Sequence, residues 1–132
     1  KFYIEEGGSY NDVTPIRRTV TLGANPFTTG SASSGAVTVT DAGHGANSGD
    51  FVTFSGATTT DSIAAAQLNI EFEISVVNAN TYTVETAGSA GSGSTAGGGS
   101  VVVANYQINI GLEEVIGWVF WRIDSVIHTN NS

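Results

Sequence analysis

The sequence predicts an all-β module: a small antiparallel β-barrel or β-sandwich of about six strands, preceded by a hairpin that belongs to a neighbouring β-unit. Three observations predict it. Several runs alternate apolar and polar residues with the period of two that half-buries a strand, as in A-V-T-V-T-D at Ala36–Asp41 and L-N-I-E-F-E-I-S-V-V at Leu68–Val77. The 17 glycines, the abundant Ser, Thr and Ala, and a charged fraction of only 12% suit short strands joined by many turns. The turns themselves are legible: Gly-spaced between Asp41 and Gly49, and Asn-Ala-Asn at Asn78–Asn80.

Taken in order, Lys1–Glu6 alternates with Phe2 and Ile4 on one face, Gly7-Gly8-Ser9 turns the chain, and Tyr10–Thr14 returns as a second arm. Pro15 ends that arm because it cannot donate a ladder hydrogen bond. A lone hairpin is marginal in water, so these residues are expected to close a β-unit of a longer chain. Arg17 and Arg18 lead into a short run, Thr19–Leu22, closed by Gly23 and Asn25-Pro26, and Thr28–Gly35 reads as a small polar loop. Ala36–Asp41 places Val37 and Val39 inward; Asp50–Ser55 does the same with Val52 and Phe54. Asp61 is placed to cap one helical turn over Ile63–Gln67, too short to hold a helix alone.

Leu68–Val77 is the strongest strand signal, with Leu68, Ile70, Phe72, Ile74 and Val76 on the buried face. A one-residue slip would bury Glu71 and Glu73, which fixes the register. Thr81–Glu85 returns with Tyr82 and Val84 inward. Thr86–Ser100, T-A-G-S-A-G-S-G-S-T-A-G-G-G-S, has the composition of a flexible linker and is read as a mobile hairpin tip inside one domain, in preference to a boundary between two domains. Val101–Ile110 supplies a last strand with Val102, Ala104, Tyr106, Ile108 and Ile110 on one face. After Gly111 the texture changes: Leu112–His128 carries both tryptophans and fits a helical stripe and a strand alternation, with helix the preferred expectation. The expected organisation is a hairpin over residues 1–18, the β-module over 19–110 with its flexible loop at 86–100, and a tail over 111–132.

Net charge is -8, from 12 acidic against 4 basic side chains, so nucleic acid is not an expected partner: phosphate neutralisation needs clustered Lys and Arg. The longest apolar run, Val115–Ile127, is interrupted by Arg122 and Asp124, and no membrane span is expected. With no cysteine there is no disulfide framework and no thiol nucleophile.

Candidate chemistry is sparse. Asp41, His44 and Asp50 lie close in sequence and invite a metal reading, but a histidine flanked by Gly43 and Gly45 is more often a turn residue, and neither a metal nor another cofactor is expected. Glu71 and Glu73 share an outward strand face, where solvation is the ordinary role. No G-x-S-x-G elbow or phosphate-binding Gly-Lys-Ser/Thr sequence is present, so no catalytic residues are assigned. The residues singled out are instead fold-defining: His44, Gly45, Gly49, Asp50, Leu68 and Asn69.

Two resemblances attach to these residues. K-F-Y-I-E-E-G-G-S-Y-N-D-V-T-P-I-R-R-T, the following L-G-A-N-P-F, and V-V-V-A-N-Y-Q-I-N-I-G resemble a segment of the large virion structural proteins of tailed bacteriophages. That resemblance implies a non-enzymatic structural module in the virion tail, working through contacts with other virion proteins or copies of itself. The alternative is a module that binds glycans or a host surface. H-G-x-x-x-G-D-x-V-x-F at His44–Phe54, Leu68-Asn69 and T-Y-T-V at Thr81–Val84 are similar to the first catalytic cysteine half-domain of ubiquitin-activating enzymes, a small β-barrel-like insert. This second resemblance implies a scaffold and no thioester chemistry, since the chain has no cysteine.

Overall fold

The computed structural model describes residues 3–6, 9–12 and 16–109, and the chain divides into two compact units. One comprises Lys1–Thr14 and Asn109–Ser132. In it β1 (Tyr3–Glu6) pairs antiparallel with β2 (Ser9–Asp12), in the register Glu6↔Ser9 to Tyr3↔Asp12. The reading of Leu112–His128 falls outside the described residues.

The second unit, Pro15–Ile108, holds two antiparallel sheets. The four-stranded sheet has the order β3 (Ile16–Thr21), β11 (Val103–Gln107), β6 (Phe51–Ser55), β7 (Glu71–Glu73). The five-stranded sheet has the order β10 (Ala96–Gly97), β4 (Phe27–Thr29), β5 (Ala36–Thr40), β9 (Thr81–Glu85), β8 (Ser75–Val76). The architecture is a sandwich and not a closed barrel, because each sheet keeps two edges.

Alternation decides which side chains meet between the sheets. Phe27, Val37, Val39, Tyr82 and Val84 are buried from one, and Val52, Phe54, Phe72, Ala104 and Tyr106 from the other. Register lines them up: Phe27 opposes Val39, which opposes Tyr82 in the next strand. Likewise Tyr106 opposes Val52, which opposes Phe72. The Phe54 ring meets Phe27 edge-on at 4.9 Å and Phe72 at 5.9 Å, joining β6 to a strand of the opposite sheet.

Several sequence expectations are corrected. The strand expected over 68–77 is broken in two. A short helix, α1 (Ala65–Leu68), precedes it; Ile70 is 43% exposed; β7 belongs to one sheet and β8 to the other. The physical reason is a corner at Ile74, whose N–H donates to the Asp50 carbonyl while its own carbonyl accepts from Gly49 N–H. Strands change sheets at such bends, and alternation persists through them, so the sequence looks continuous. The two sheets, of five and four strands, form the sandwich that is one of the two arrangements expected. β4 also occupies residues assigned to a polar loop, because only Phe27 and Thr29 of its three residues face inward.

Asp61 does not cap the helical turn. Its Oδ2 accepts from the Thr29 hydroxyl (2.8 Å) and Gly93 N–H (2.8 Å), and its Oδ1 from Ser92 N–H (2.8 Å). The 86–100 stretch, linker-like in composition, is thereby given fixed partners. Further bonds run from Thr86 to Gly35, from Ala90 to Ser34, and from Ser94 to Gly30.

These donors, the Ser92 N–H first and the Thr29 hydroxyl next, hold the Asp61 carboxyl below its ordinary value of 3.8. A depressed carboxyl contributes stability that is present above the unfolded-state value and is lost as pH falls through the folded one. In an NMR titration the Asp61 carboxyl is expected to titrate below 3.8, with the Ser92 and Gly93 amide shifts moving in step. A midpoint at or above 3.8 would contradict the clamp. Asp61→Asn should abolish the coupled amide titration.

A buried Arg–Asp–Tyr–Tyr network as the candidate functional site

The largest concentration of chemistry among the described residues lies between the sheets at one end. Arg18 is on β3, where R-T-V-T-L alternation puts it on the same face as Val20 and Leu22, turned into the sandwich. Its guanidinium makes a two-pronged pair with Asp41, Nη1 to Oδ2 at 2.7 Å and Nη2 to Oδ1 at 3.2 Å. Planar fork-to-carboxylate geometry of this kind is what arginine provides and lysine does not. The same guanidinium lies 5.6 Å from the centre of the Tyr106 ring.

Tyr106 donates its hydroxyl proton to Asp41 Oδ2 at 2.6 Å. Its hydroxyl is also 2.8 Å from that of Tyr82. With the Tyr106 proton committed to the carboxylate, Tyr82 is the donor in the second bond. Burial pushes both phenols upward from their ordinary values: in Tyr82 desolvation outweighs the bond to Tyr106, and in Tyr106 desolvation is the leading cause, reinforced by Tyr82 and Asp41. Both hydroxyls therefore stay protonated and act as donors. Arg18 and Tyr106 come from one sheet and Tyr82 from the other, with Asp41 following β5, so the network bolts the sheets together.

The predicted residues fall around this bolt. His44 is 2% exposed; its Nδ1 accepts from Ala46 N–H (2.9 Å), which leaves Nε2 to carry the proton and donate to the Asn78 carbonyl (2.7 Å). Its ring stands edge-on to Tyr82 at 5.4 Å. Gly43 and Gly45 on either side both have φ of +65°, a conformation glycine adopts at least cost, and Gly49 has φ of +96°. Asp50 is buried and its Oδ2 accepts from Asn47 N–H at 2.9 Å, closing the turn on itself.

The Asp41, His44 and Asp50 side chains thus bond different groups: Arg18 and Tyr106, Ala46 and Asn78, and Asn47. Among the described residues no group of three or more His, Cys, Asp or Glu is arranged to hold a metal ion. Glu71 and Glu73 are exposed on β7, and Glu73 borders an open, polar depression with Ser75, Thr83, Val84 and Glu85.

Leu68 and Asn69 sit at the far end of β6. Leu68 is fully buried. Asn69 imitates a strand: its Nδ2 donates to the Ala57 carbonyl (2.9 Å) and its Oδ1 accepts from Ala57 N–H (2.8 Å). Asn69→Asp should replace that donor with an acceptor facing a carbonyl, and is expected to cost about 1–3 kcal/mol in chemical denaturation. Asn69→Ala should loosen the Ala57 amide to hydrogen exchange while leaving Val39 protected; equal protection of Ala57 in the variant would show that the side chain does not hold this loop.

Arg18 and the two tyrosine hydroxyls are what residue-level reading missed. The signal was present: a charged residue in phase with Val20 and Leu22, and tyrosines in phase with buried valines.

No family of known proteins matches the chain, and no curated protein matches it. Among solved structures the chain is similar to Phage phi92 endosialidase, with a TM-score of 0.55 and 23% identity, over 72% of this chain and 13% of that one. At this identity the likeness is one of fold. The matched share of this chain is about the fraction that the Pro15–Ile108 sandwich occupies, and it spans a small part of the neighbour's length.

Proposed function

We propose that this chain contributes a non-enzymatic structural module to the tail of a phage virion, and that it acts through contacts with other virion proteins or with copies of itself. The observation that carries the reading is the shared fold with a short stretch of a phage protein, Phage phi92 endosialidase, found independently of the sequence resemblance to virion proteins. The buried network supports a structural role, because its carboxylate, guanidinium and hydroxyls are spent on one another across the sheets. The net charge of -8 accords with a partner other than nucleic acid.

The test is composition and position in the particle. Mass spectrometry of purified virions should detect the protein, and gold-labelled antibody against residues 15–108 should decorate the tail. Absence from purified particles would end the reading.

The neighbour's name favours a second reading, a module that binds host glycans. An acidic surface disfavours polyanionic glycans, so binding on a glycan array is expected, under this reading, to fall on neutral chains. An array without binding would remove it.

A further inference from the structure

We infer that the sandwich is an insertion: both flanks belong to one host unit that the sandwich interrupts, and the module does not stand between two separate domains. The strands through which the chain enters and leaves the sandwich are β3 and β11, which are antiparallel neighbours. Their outermost partners are Ile16 and Gln107, so the chain arrives and departs at the same end of one strand pair. Antiparallel partners lie about 5 Å apart at Cα, a gap that a host chain closes without rearrangement. Domain insertion depends on such closeness of the two ends.

Two further observations point the same way. Lys1–Thr14 and Asn109–Ser132, at opposite ends of the sequence, fall into one compact unit. The buried core residues described for the sandwich run from Leu22 to Tyr106, all within Pro15–Ile108. The pair of connecting strands is also held at this end, since Arg18 on β3 and Tyr106 on β11 are register partners and both bond Asp41.

The full chain tests this. Tyr10→Pro removes a backbone donor from β2, where Tyr10 pairs with Glu5, and leaves the sandwich sequence untouched. Hydrogen exchange of the wild type and the variant is then compared amide by amide. An insertion requires exchange across residues 109–132 to accelerate together with residues 3–12, by about tenfold or more, while Val39, Val52, Tyr82 and Ala104 keep their protection. If 109–132 exchanges at the wild-type rate in the variant, or shows no protection in the wild type, the flanks do not form one unit and the inference fails. Loss of protection at the four sandwich residues would also overturn it, by showing that the sandwich depends on the flank.

Discussion

Replacing Phe54 with alanine is expected to destabilise the sandwich by about 3–5 kcal/mol, the range for removing a fully buried aromatic ring from a close-packed core. Phe54 is 1% exposed and is the ring through which β6 reaches Phe27 of the other sheet and Phe72 of the neighbouring strand. Its loss removes apolar area and two ring contacts at once. Phe54→Leu, which keeps more of the volume, should cost less than half as much. The readout matters here: residues 15–108 contain no tryptophan, whereas Tyr82 and Tyr106 are fully buried in the sandwich core. Near-ultraviolet circular dichroism of Tyr82 and Tyr106, or methyl signals of Val37 and Val39, would follow it in urea. An alanine variant within 1 kcal/mol of wild type would mean that the two sheets are not held by this cluster.

Much of that core could be read from alternation alone, because Val37, Val39, Val52, Phe54, Tyr82, Val84, Val102, Ala104 and Tyr106 repeat with a period of two and a strand buries one face. What alternation does not encode is where a strand leaves one sheet for the other. Between Phe72 and Val76 the inward pattern runs on while the chain turns at Ile74, and the bend is fixed by backbone bonds to Gly49 and Asp50, residues far away in sequence. The 86–100 stretch is opaque for a related reason. Its Gly and Ser residues have little preference of their own, and what gives them partners is the carboxylate of Asp61, which local reading assigned to a helix cap. Resemblance to virion proteins suggested the class of scaffold, and the fold likeness accords with it. Neither speaks to the network, whose members are distant in sequence and ordinary in type.

Breaking the network by Arg18→Ala is expected to cost about 2–4 kcal/mol, toward the lower part of the range for stranding a partner of a buried ion pair. The Arg18 side chain is 30% exposed and Asp41 only 7%, so water recovers part of the guanidinium but little of the carboxylate. Without the arginine, Asp41 keeps the Tyr106 hydroxyl and loses both prongs of its charge partner. Arg18→Lys should recover less than half of the loss, because a single ammonium cannot reproduce the two-pronged pairing with Oδ1 and Oδ2. The decisive comparison is a double-mutant cycle with Asp41→Asn. If the two groups stabilise each other, the double variant should be less damaging than the sum of the singles by at least 1 kcal/mol, since the uncompensated charge is gone. Additive costs would show that each residue acts through its packing alone. Tyr106→Phe completes the argument from the other side: it removes the hydroxyl that donates to Asp41 and accepts from Tyr82, and leaves the ring in place over the guanidinium. It should cost about 1–3 kcal/mol in the wild-type background and distinctly less in Asp41→Asn. That dependence would establish the four residues as one bolt between the sheets.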